Sequence, residues 1–99
     1  MELISKKLMQ EFLDNNLTQK YVVARYFDNE SSWQWFAMTF DGCDIFFGLV
    51  IGCETEYGSF SLSEFCEINK SAGYQRICLD PLFNTTSVAE IEKLCKYQS

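Results

Sequence analysis

Apolar residues recur along the chain in two periods, and the switches between them divide it into helices and strands. Ser5 precedes a helical stripe of Leu8, Met9, Phe12 and Leu13, with Ile4 placed to staple onto Met9 and Asn15-Asn16 as a stop. Residues 21–27 (YVVARYF) are β-branched and aromatic and run into Asp-Asn-Glu-Ser-Ser, which predicts a first strand followed by a loop. Residues 33–40 (WQWFAMTF) form a second strand, and the 41–44 turn (DGCD) leads into a third, residues 45–51 (IFFGLVI), antiparallel to it. Residues 52–58 read as a turn carrying Glu54 and Glu56, before a short fourth strand from Ser59-Phe60 into Leu62. Ser61 with Glu64, and later Ser87 with Glu90, have capping-box spacing. The first opens a helix through Phe65 and Ile68 that frays near residues 71–73. The second opens a helix with the stripe Val88, Ile91, Leu94 and Cys95. Between them lie a short fifth strand at residues 76–79 and a loop at 81–86.

The pattern predicts one α+β domain over residues 1–99, a meander of four to five antiparallel strands carrying N-terminal, middle and C-terminal helices. Strict alternation places Trp33, Trp35, Ala37 and Thr39 on one face of the second strand and Gln34, Phe36, Met38 and Phe40 on the other. The third strand is apolar on both faces, so both sides of the sheet need cover. Helices, loops, a second copy of the chain or a partner can supply it.

With 99 residues and 47% hydrophobic content, the chain can build its own core. Five cysteines with spacings of ten or more residues, and an opening MELISKK with charge where a leader needs apolar residues, predict reduced thiols and a cytoplasmic protein. The cysteines form no zinc knuckle, and the longest apolar run is far short of the ~20 residues of a membrane helix. The absence of histidine removes serine–histidine and cysteine–histidine nucleophile pairs, histidine proton shuttles and two-histidine metal sites. The expectation is therefore a protein that is not an enzyme and needs no cofactor. Fourteen acidic against eight basic side chains give a net charge of −6, which disfavours direct binding to nucleic-acid phosphates and permits either a basic protein surface as partner or a merely soluble acidic surface.

The run Phe46-Phe47-Gly48-Leu49-Val50, Gly52, Glu54, Glu56, Gly58, Phe60-Ser61-Leu62, Glu64, preceded by a Trp-rich strand and an acidic turn, resembles domain of unknown function 2958, a family of small bacterial and phage proteins. The resemblance extends from Leu8 to about Ile91. After Gly73 the family's Glu-Arg-Asp stretch is represented only by Arg76, flanked by Gln75 and Ile77. The resemblance implies a mobile-element context, plasmid or phage, and no assigned activity. Small acidic proteins of such elements often inhibit host defence nucleases, so anti-CRISPR or anti-restriction action follows by analogy.

The residues expected to bind a partner are Trp33, Trp35, Asp41, Asp44, Glu54, Glu56 and Tyr57, because interface energetics concentrate in aromatic anchors and carboxylates meet basic patches. Trp33 and Trp35 serve equally as core. Glu54 and Glu56 with Asp80 form the best set of oxygens for a divalent cation, and Glu56 could instead pair with Arg76. Gly48, Gly52 and Gly58 follow strand periodicity, which marks bulges or close approach by a packed aromatic instead of a phosphate loop. The expected function is an interaction module for a host or element-encoded protein. The alternatives are a small metal- or ligand-binding protein using the same carboxylates, and a structural homodimer with no separate ligand.

Overall fold

The computed structural model describes residues 3–98, and side chains through Cys95; Met1, Glu2 and Ser99 lie outside the described residues. The chain runs α1 (Lys6–Asn16), β1 (Tyr21–Val22), β2 (Ala24–Asp28), β3 (Gln34–Phe40), β4 (Ile45–Ile51), β5 (Thr55–Ser61), α2 (Leu62–Ala72), β6 (Ile77–Leu79), β7 (Thr86–Ser87) and α3 (Val88–Gln98). It is an α+β protein with a five-stranded antiparallel sheet in the order β5-β4-β3-β2-β6, and a separate β1-β7 pair. No described helix is long and apolar enough to cross a membrane.

Local chemistry accounts for the helix starts. The Ser5 hydroxyl accepts from the Leu8 amide at 3.1 Å, and Ser61 and Ser87 accept from the Glu64 and Glu90 amides at 3.1 and 3.3 Å, each relieving a free N–H of a first turn. α2 has a further support that the sequence did not suggest. Asp44, in the β3–β4 turn, accepts from the Ser63 amide and hydroxyl at 2.8 and 2.9 Å, and its own carbonyl accepts from the Leu62 amide.

The sheet differs from strict alternation at one point, and that point reorganises the core. The β3–β4 register pairs Ala37 with Gly48 but Thr39 with Phe47, so Met38 is an extra residue, a β-bulge. Beyond it the faces exchange. Phe40 therefore joins Trp35 and Ala37 in one cluster with Phe12, Tyr26, Phe46, Phe60 and Phe65, while Phe36 and Met38 pack with Val22, Leu49, Ile91 and Cys95. The first cluster lies under α1 and α2 and the second under α3. A bulge leaves ladder groups unpaired, and the Asn15-Asn16 pair read as a helix stop supplies them. The Asn15 amide donates to the Met38 and Tyr21 carbonyls at 2.7 Å, and Asn16 donates to the Phe40 carbonyl at 2.9 Å and accepts its amide at 3.3 Å.

The predicted first strand is likewise two pieces, since the chain leaves β3 at Val23 and β1 pairs with β7 instead. Leu94, expected in the inner stripe of α3, is 56% exposed. The largest difference is in the supposed 52–58 turn: the bend is only Gly52–Glu54, and Thr55, Glu56, Tyr57 and Gly58 belong to a seven-residue edge strand.

The two outer strands end the sheet differently. β6 has three residues, and the Asn69 side chain of α2 accepts the Ile77 amide at 2.7 Å and donates to the Ile77 carbonyl at 3.2 Å, closing that edge. Among the described residues nothing closes the outer edge of β5.

Candidate partner-binding surface

The structure separates the seven expected residues into three environments. Trp35 is core: it is 8% exposed and meets Phe65 edge-on at 4.9 Å between centroids. Asp41 and Asp44 lie at the β3–β4 turn, where their carboxylates are engaged in shaping the chain. Asp41 accepts the amides of Cys43, Asp44 and Ile45 at 2.8, 2.8 and 3.0 Å, which holds its carboxyl below the usual range. Trp33, Glu54 and Glu56 lie at the opposite end of β4, with Tyr57 following in β5.

Register places Glu56 on the α2 face of the sheet, in one row with Val50, Trp35 and Tyr26. Trp33 continues that face, 39% exposed, its ring 6.0 Å from Trp35 and directly over Gly52, where an added Cβ would lie 2.5 Å from the indole. This is the close aromatic approach expected of one of the glycines. Tyr57 points to the other face. Its hydroxyl hydrogen-bonds the Glu92 carboxylate of α3, and burial followed by that carboxylate pushes its pKa up to about 12.

Two more exposed carboxylates, Glu64 and Glu67, lie on α2. α2 crosses the sheet with Phe65 and Ile68 inward; Cys66, Asn69 and Lys70 line a groove with Leu3 and Ile4 on its α1 side, while Glu64, Glu67 and Ser71 line a groove with Arg76 on its other flank. Ser61 caps the helix through the Glu64 amide, and among the described residues the Glu64 carboxylate makes no reciprocal bond, so it stays exposed to solvent. The spacing of Glu64, Glu67 and Ser71 on one helical flank was the signal available in the sequence; reading Glu64 solely as a capping residue obscured it.

The basic residues nearby are committed elsewhere. Arg76 makes a bidentate pair with Asp28 at 2.8 and 3.0 Å and reaches Glu30 at 3.8 Å, so the expected Glu56–Arg76 pair does not form. Arg25 pairs with Asp80 at 3.0 Å and stacks on Phe27. Among the described residues no Lys or Arg pairs with Glu54, Glu56, Glu64 or Glu67. The proposed cation set does not assemble, because Asp80 follows β6 and Glu56 lies in β5, at opposite edges of the sheet. Among the described residues no group of three or more Cys, Asp or Glu could hold a metal ion.

The fold and this surface define a small α+β protein with a half-exposed Trp33 at the Glu54 and Glu56 end of its sheet. Comparison of the chain with protein-family models, with curated proteins and with solved structures finds no match in any of the three.

Proposed function

We propose that the protein is a non-enzymatic docking module that binds the basic surface of another protein through Trp33, Glu54, Glu56, Glu64 and Glu67. The observation that supports this reading is a half-exposed indole at the Glu54 and Glu56 end of the sheet, with Glu64 and Glu67 exposed on α2 and none of the four carboxylates paired with Lys or Arg among the described residues. Unpaired surface charge of one sign steers an oppositely charged partner and fixes its orientation, and a Trp at the centre supplies the desolvated anchor. A nucleic-acid-binding groove is a protein surface of the complementary, basic charge. In the mobile-element setting implied by the resemblance, occupation of such a groove on a host defence nuclease is the form the function takes. Trp35, Asp41, Asp44 and Tyr57 are left out of the docking set, because their side chains are committed to the core, to the β3–β4 turn and to the Glu92 carboxylate of α3.

The test is affinity capture of the tagged protein from its native host at low and high salt, with Glu54→Lys/Glu56→Lys, Glu64→Lys/Glu67→Lys and Trp33→Ala variants alongside. The expected result is one stoichiometric protein partner, released by salt and at least ~10-fold weaker with any of the three variants. Equal recovery by wild type and both charge-reversed variants refutes the acidic corner as the site.

A further inference from the structure

We infer that β5 is a self-pairing edge, through which two copies of this chain join their sheets into one continuous antiparallel sheet. The inference does not rest on the acidic corner, and either can fail without the other. In the β4–β5 ladder the Leu62 amide donates to the Asp44 carbonyl and the Gly52 amide to the Glu54 carbonyl. Bonded pairs alternate along an antiparallel ladder, so the even residues of β5 face β4. The backbone groups of Thr55, Tyr57 and Ser59 consequently point outward along the free edge.

Natural edges are blunted by Lys, Pro, bulges, shortness or a covering side chain. β6 uses shortness and Asn69, as described above. β5 is seven residues long, carries no Lys or Pro, and pairs with β4 without a bulge. Its sequence, TEYGSFS, suits a second copy about Gly58. In that register all seven residues pair, Gly58 faces Gly58 of the second copy, and Tyr57 faces Ser59. Glu56 faces Phe60, so no carboxylate opposes another, whereas a register centred on Glu56 would set two directly together.

The α3 face adds apolar contact to the pairing. Tyr57 and Phe47 stack at 6.1 Å between centroids and 12° between planes, yet are 42% and 37% exposed, and Ile45 on the same face is 44% exposed. Ser59 is the register neighbour of Phe47, so Tyr57 of a second copy would lie over Ser59 and extend the aromatic row to Phe47. Gly58 falls at a non-hydrogen-bonded pair, where side chains approach most closely. A Cβ there meets nothing within 4 Å inside one chain.

Sedimentation analysis across 1–200 µM tests the proposal, using wild type, Gly58→Glu, Gly58→Lys and Ser59→Pro, with circular dichroism to confirm that each folds. Wild type is expected to sediment at twice the 11.5 kDa chain mass, and more completely as salt rises, because two chains of like charge repel. Gly58→Glu and Gly58→Lys should each be monomeric alone and should heterodimerise when mixed, which only a register centred on that position produces. Ser59→Pro removes an outward amide and should be monomeric with its fold retained. A wild type that stays monomeric at 200 µM overturns the inference and leaves the edge to an extended segment of another chain. A Gly58→Glu dimer as tight as wild type overturns it in favour of another interface.

Discussion

Asp28 offers the sharpest quantitative test of how the far end of the sheet is held together. Its side chain is 7% exposed and accepts two bonds from Arg76, one from the Glu30 amide and one from the Ser31 hydroxyl. The Arg76 guanidinium contributes most, outweighing burial, and holds the carboxyl at about 2 against an ordinary 3.8. A carboxyl whose folded-state pKa is depressed stabilises the fold above its unfolded pKa, and that stabilisation is lost as pH falls through the folded value. The full contribution near neutrality is about 2 kcal/mol, falling to about half of that at pH 3 and to a small fraction of it at pH 2. Asp28→Asn keeps acceptor capacity for Glu30 and Ser31 but removes the charge. Urea unfolding of the two proteins at pH 6, 4, 3 and 2 should show a stability difference of about 2 kcal/mol that shrinks across the acid range. A difference of the same size at pH 6 and pH 2 would refute the ion pair as its origin.

Two further predictions concern glycines where space, not chain flexibility, sets the residue. Gly48→Ala would put a Cβ 2.0 Å from the Phe36 carbonyl oxygen in the central β3–β4 ladder, forcing the strands apart at a cost of about 3 kcal/mol; a thermal midpoint within 3 °C of wild type would contradict it. Gly52→Ala meets the Trp33 ring instead of backbone, so it should swing the indole away with a stability change within ~1 kcal/mol. The near-ultraviolet circular dichroism of the Trp33–Trp35 pair should collapse, and an unchanged spectrum would show that the ring does not sit over Gly52.

The residues disclosed local structure well because local chemistry produces it. The three capping serines and the uninterrupted apolar run of β4 each act over a few neighbouring positions and stand where the sequence placed them, whereas the α1 stripe holds at Leu8 and Phe12 but not at Leu13, which is 50% exposed. Composition likewise fixed the acidic balance and the lack of imidazole. The length of β5 was harder to read, because Glu56 and Gly58 are weak strand formers that join the strand only through pairing with β4. The candidate site was half legible: Trp33, Glu54 and Glu56 could be picked out as aromatic and acidic, but Trp33 and Trp35 are chemically equal, and only packing under α2 makes one core and leaves the other half-exposed.

The sequence by itself determined the α+β class, the helix starts and the net negative charge. Tertiary structure alone decided which face each side chain of β3 occupies, since one extra residue at Met38 reverses every face beyond it and Asn15 and Asn16 must reach across from α1 to satisfy the freed backbone. It also decided which carboxylates stand unpaired, because Arg25 and Arg76 are separated from Glu54 and Glu56 by the order of strands in the sheet. Pairing order depends on contacts between segments tens of residues apart, and no local period encodes them.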